Sequence, residues 1–97
     1  MNRMIPYAKQ DISDEDIDSV IEVLKSDFLT QGNKVPLFED IISERVGAKY
    51  ALAANSATSC LHLSCLSLGL SKGDILWTSP ITYVASANCA LFCGAEV

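Results

Sequence analysis

Tyr50-Ala51-Leu52-Ala53-Ala54-Asn55-Ser56-Ala57-Thr58-Ser59 is the stretch on which the fold of this chain turns. Residues 50–54 are short and apolar, as a strand would be, and Ala57 opens a run to about Leu68 that predicts a helix. A strand that hands over to a helix through small hydroxyl residues gathers free backbone N–H groups and the positive end of the helix dipole at one point. Such a point suits a phosphate. The same residues also suit an ordinary helix cap, with Asn55 or Ser56 accepting from the first backbone N–H groups. Spacing alone leaves both readings open.

Downstream, Gly69 stops that helix and Ser71-Lys72-Gly73-Asp74 reads as a turn. Ile75-Leu76-Trp77-Thr78 is apolar enough to predict a strand buried on both faces of a parallel sheet. Ser79-Pro80-Ile81-Thr82 is a loop, Tyr83 to about Cys93 a helix closed by Gly94, and Ala95-Glu96-Val97 the start of a third strand. The order β-α-β-α-β implies a parallel sheet with right-handed crossovers.

Upstream, residues 1–11 form an arm with Pro6 and an exposed Tyr7. Ser13 and Asp16 have capping-box spacing, with Asp in place of the usual Glu. Ile17, Val20, Ile21 and Leu24 then recur at helical spacing to about Lys25. Ser26 to Asn33 is a loop. A second helix starts near Pro36, which a first turn tolerates, and it carries Leu37, Phe38, Ile41, Ile42 and Val46 before Gly47 ends it. The chain therefore divides at 1–48, an arm with two helices, and 49–97, the opening βαβα of a larger domain. Two or three parallel strands leave apolar faces and edges uncovered. The expectation is an N-terminal piece of something larger.

Composition narrows the function classes. Apolar residues make up 49% and charged residues 20% of the chain, a globular balance. Ten of the twelve acids precede Arg45, so the first half reads as solvated helices and the second as buried core. With a net charge of −5 and no basic patch, nucleic acid is not an expected partner. No signal segment or membrane-length apolar run is present, which predicts a cytoplasmic protein without membrane contact. Cys60, Cys65, Cys89 and Cys93 fall in apolar helical patterns and read as buried structural thiols rather than disulfides. His62 lies between two of them, but the spacing fits no zinc site, so no metal is expected.

Several phrases together resemble one family. Pro6-Tyr7, Leu29-Thr30-Gln31-Gly32, Phe38-Glu39, Asn55-Ser56-Ala57-Thr58, Gly73-Asp74 and the run from Ser79 to Asn88 occur in order and with family-like spacing over nearly the whole chain. They resemble the DegT/DnrJ/EryC1/StrS sugar-nucleotide aminotransferases, and within them the pseudaminic acid branch. The resemblance implies an α/β protein: the N-terminal part of the pyridoxal-phosphate-dependent transferase fold of the aspartate aminotransferase type (fold type I), a helical arm followed by the start of a parallel or mixed sheet. It implies pyridoxal 5′-phosphate as cofactor, a UDP-linked keto or amino sugar as substrate, glutamate as the usual amino donor, and a homodimer.

Roles follow residue by residue from the same resemblance. Ala57 and Thr58 match the phosphate-cup positions, with Ser56 and Ser59 close enough to assist. Tyr83 matches the aromatic that stacks on the cofactor ring; without the family it would read as a core aromatic. Asn88, further along the same helix, is structural. Tyr7, Asp27, Phe28, Leu29 and Thr30 match positions lining the nucleotide-sugar pocket in that branch, and Ala57 faces substrate as well as cofactor. A plain interhelical turn is the other reading of residues 27–30.

The resemblance also implies what these 97 residues do not supply. The Schiff-base lysine and the acid pairing the pyridine nitrogen lie far downstream in the family. None of Lys9, Lys25, Lys34, Lys49 or Lys72 sits in a matching setting. No catalytic residue is therefore expected here, and the chain alone is expected to lack transaminase activity. Two alternatives accompany that expectation: a sugar dehydratase of the same family, with histidine at the lysine position, and a non-catalytic gene fragment that pairs with a full-length homologue. An unrelated nucleotide-binding α/β module is disfavoured, because the turn at 54–58 lacks the glycine-rich fingerprint.

Overall fold

The computed structural model describes residues 5–97; the first four residues of the arm lie outside them. Among the described residues there are four helices: α1 (Asp14–Leu24), α2 (Lys34–Val46), α3 (Ala57–Ser67) and α4 (Ala85–Phe92). It divides into two compact units, Met1–Val35 and Pro36–Val97.

In the first unit, α1 begins with a complete capping box. The Ser13 amide donates to Asp16 Oδ2 at 2.8 Å, and the Asp16 amide donates back to Ser13 Oγ at 3.3 Å. Aspartate is one methylene shorter than the usual glutamate, yet it closes the box. Asp14, Glu15 and Asp16 also favour the positive end of the helix. The apolar stripe forms as expected, but Ile17, Val20, Ile21 and Leu24 are all exposed, and no α1 residue is buried. After α1 the chain folds on itself. The Ser26 hydroxyl lies 2.7 Å from the Val23 carbonyl and 3.1 Å from that of Phe28. Lys34 Nζ reaches Glu22 Oε2 at 3.1 Å across this loop.

In the second unit, Pro36 lies in the first turn of α2, as the sequence allows. α3 and α4 pack on each other, and the buried residues of the chain gather there: Cys65, Ala85, Cys89 and Ala90, with Ala95 just beyond. All are small, which permits close helix approach. His62 and Phe92 meet edge to face, with ring centroids 5.3 Å apart. Both helices end on a glycine in the left-handed region, Gly69 (φ 77°) and Gly94 (φ 77°). Each stop carries the paired bonds of a Schellman motif: Leu70 N–H to Cys65 O and Gly69 N–H to Leu66 O, then Ala95 N–H to Ala90 O and Gly94 N–H to Leu91 O.

The expected sheet is reduced to one parallel bridge, Ile75 with Glu96. Leu76 N–H donates to Glu96 O and Glu96 N–H to Asp74 O, both at 2.9 Å. This pairing has the parallel sense and the helical crossover through α4 that the element order predicts. The extent is corrected. Residues 50–54 pair with no strand among the described residues, and residues 76–78 leave the ladder after Ile75. A strand is stabilised by a neighbour on its edge, and apolar composition alone does not provide one. The buried-core expectation is corrected in the same way: Trp77 is 93% exposed.

Candidate functional site

The turn between residue 54 and α3 is organised by its own side chains. Ser56 has extended backbone (φ −161°, ψ 155°) and caps α3, its Oγ accepting from the Ser59 amide at 3.1 Å. The Ser56 and Ser59 hydroxyls are 3.0 Å apart, and the Ser59 hydroxyl donates to Asn55 Oδ1 at 2.8 Å. The two serine hydroxyls and the asparagine carbonyl therefore satisfy one another.

What the turn leaves over is the useful part. Among the described residues, the amides of Ala57 and Thr58 and the Thr58 hydroxyl have no hydrogen-bond partner. Two N–H groups and one O–H at the positive end of an eleven-residue helix form a donor set for an anion. Pyridoxal 5′-phosphate carries such an anion, and these donors fit its phosphate. The capping reading is met at Ser56, and it leaves the Ala57 and Thr58 donors unused.

Tyr83 stands just ahead of α4 and is 76% exposed, so its ring face is open for stacking. Nearby, the Thr82 and Ser86 hydroxyls are 3.3 Å apart. The start of α4 comes two residues later than the sequence predicts, with Val84 as its cap and no side-chain capping bond. Asn88 is half-buried in α4. Tyr7 and residues 27–30 belong to the first unit and are all exposed. Ser56, Ala57, Thr58 and Tyr83 belong to the second.

One residue of this neighbourhood, quoted above only within the Phe38-Glu39 phrase, makes a bond that the sequence does not disclose. Glu39, on α2, accepts the Ala53 amide at 2.7 Å through Oε1. The two residues are fourteen apart, beyond the reach of local patterning. Beside them, Lys49 Nζ lies 5.1 Å from the Tyr50 ring centroid.

The thiols are free, and they divide by environment: Cys65 and Cys89 are buried, Cys93 is half-buried and Cys60 is exposed. The expectation of buried thiols thus fails at Cys60, which is exposed. Burial, with Cys89 alongside, pushes the Cys65 thiol up, which makes it a poor nucleophile. Among the described residues, no group of three or more His, Cys, Asp or Glu side chains is arranged to hold a metal ion. No helix among them is long and apolar enough to cross a membrane.

Comparison with known proteins agrees with the resemblance. The chain is 47% identical over 94 residues to UDP-4-amino-4,6-dideoxy-N-acetyl-beta-L-altrosamine transaminase of Campylobacter jejuni subsp. jejuni serotype O:23/36 (strain 81-176), a match covering 97% of this chain and 25% of that protein. The protein of the same name from serotype O:2 is 45% identical with the same coverage. The spore coat polysaccharide biosynthesis protein SpsC of Bacillus subtilis is 40% identical, over 97% of this chain and 24% of its own length. The chain thus spans about a quarter of the length of the curated relatives it matches. The profile of the DegT/DnrJ/EryC1/StrS aminotransferase family matches residues 10–97, and the chain belongs to that family.

Proposed function

We propose that these residues form the N-terminal part of a pyridoxal-phosphate-dependent aminotransferase acting on a nucleotide sugar in the cytoplasm. The amino group passes, with glutamate as donor, to C4 of a UDP-4-keto-6-deoxy-N-acetylhexosamine in pseudaminic acid-type biosynthesis. The Campylobacter relatives, named as transaminases of a UDP-linked amino sugar, support the substrate class. The observation that carries the cofactor assignment is the set of free donors at the start of α3.

In this proposal the Ala57 and Thr58 amides and the Thr58 hydroxyl hold the cofactor phosphate, and Ser56 fixes their direction by capping the helix. Tyr83 lies against the pyridine ring and keeps one face from water. Tyr7, Asp27, Phe28, Leu29 and Thr30 contact the nucleotide sugar, and Ala57 faces substrate as well as cofactor. The Ser26 hydroxyl, between the Val23 and Phe28 carbonyls, holds the loop that carries these groups. When bound, pyridoxal 5′-phosphate supplies the electron sink for amino transfer, while the protein binds and orients. Residues 1–48 carry the proposed substrate contacts and residues 49–97 the proposed cofactor contacts, and the intact enzyme acts as a homodimer.

Titration of the chain with pyridoxine 5′-phosphate tests the phosphate assignment, because this analogue lacks the aldehyde and cannot react with surface lysines. The amide resonances of Ala57 and Thr58 are expected to shift on binding. Thr58→Val removes the hydroxyl and is expected to weaken binding about tenfold, the value of one hydrogen bond to a charged group. Equal affinity for Thr58→Val and the parent would place the phosphate elsewhere.

A further inference from the structure

We infer that Glu39 is a positioning residue for the anion-binding turn, acting through the Ala53 amide. The assignment rests on the proposed phosphate role of Ala57 and Thr58. Ala53 lies four residues before Ala57, and the segment containing it pairs with no strand among the described residues. Where a sheet would fix the approach to α3, a single side chain does so: Glu39 Oε1 accepts the Ala53 amide at 2.7 Å. At 2.7 Å the bond is at the short end of the N–H···O range.

Its position in the fold explains why one bond carries weight. Glu39 sits on the second turn of α2, a thirteen-residue helix, and is half-buried. Glu39 and the turn belong to the same compact unit. On the far side of the turn, the Asn55, Ser56 and Ser59 bonds lock the cap to α3. Glu39 on one side and the serine cap on the other leave only Ala54 between the two anchored points. Removing the Glu39 carboxylate frees residues 51–54 to swing, and the direction of the Ala57 and Thr58 N–H bonds is no longer set from that side.

The test compares the parent chain with Glu39→Ala and Glu39→Gln, using the Ala53 amide exchange rate without ligand and pyridoxine 5′-phosphate affinity from the Ala57 and Thr58 resonances. Gln keeps an oxygen acceptor at the same reach; Ala does not. The expected result is faster Ala53 exchange and about tenfold weaker binding in Glu39→Ala, with both largely restored in Glu39→Gln and the Ala90 amide protected in all three. Equal affinity in Glu39→Ala and the parent would overturn the positioning role while leaving the phosphate assignment intact. Loss of Ala90 protection in Glu39→Ala would make Glu39 a general structural residue and overturn it as well. A parent chain that binds no pyridoxine 5′-phosphate would bring down the phosphate assignment itself, and the role of Glu39 with it.

Discussion

Asp16 shows how much a single side chain settles at the residue scale. The Ser13 amide, and then the Ser13 hydroxyl, hold its carboxyl below the usual aspartate range. Neighbouring Glu15 is lowered too, first by its own backbone amide and then by Ser13. A carboxyl lowered in the folded state stabilises at pH above its unfolded value, and that contribution disappears as pH falls through the folded value. Helicity of α1 is therefore expected to be constant near neutrality and to decline on acidification below about pH 4, the ordinary aspartate value. Asp16→Asn, which cannot ionise, should start with a weaker cap and lose that part of the decline; Cα chemical shifts of residues 14–24 against pH would show both. This box was legible in the sequence because Ser13 and Asp16 are three residues apart and each answers the other's backbone. The Ser56 cap was legible for the same reason. Glu39 was not: its partner is fourteen residues away, and only the folded position of α2 brings them together.

At the scale of elements, the α3–α4 pair holds the second unit together through small side chains. Ala90 is fully buried and Cys89 nearly so, with the Cys89 thiol 3.4 Å from the Ser86 carbonyl. Overpacking such a contact costs about 1–3 kcal/mol. Ala90→Leu is expected to lower the stability of the α3–α4 pair by that amount in urea unfolding, while α1, in the other unit, keeps its helical chemical shifts. Helix ends were readable from glycine placement, since Gly69 and Gly94 take conformations other residues resist. Strands were not readable in the same way. Residues 50–54 and 75–78 have strand-like composition, but a strand exists only where a second edge accepts its hydrogen bonds. Ile75 has such a partner in Glu96, and Ala53 has a carboxylate instead.

Across the whole molecule, chemistry and burial separate. The acids concentrate before Arg45, and no residue of α1 or α2 is buried. Among the described residues, the buried ones all lie from Cys65 onward. The division between a solvated first half and a core-forming second half was thus legible from charge, although the core itself is far smaller than the apolar content implies. Family membership follows from motifs spread along the chain, and it carries the fold type I assignment with it. None of the five lysines is assigned to hold the cofactor. The 97-residue chain supplied with pyridoxal 5′-phosphate, glutamate and a UDP-4-keto sugar is accordingly expected to give no amino transfer; turnover above a blank would hand the attachment role to one of those lysines.

The serine and asparagine knot ahead of α3 has a kinetic meaning as well. Because Asn55, Ser56 and Ser59 already satisfy one another, the loop has its final shape before any ligand arrives. Association then needs no prior folding step and little loss of loop entropy, so it is governed by diffusion and by how quickly the anion sheds its water. Preorganisation of this kind favours rapid capture, and it leaves residence time to be set by whatever else touches the ligand.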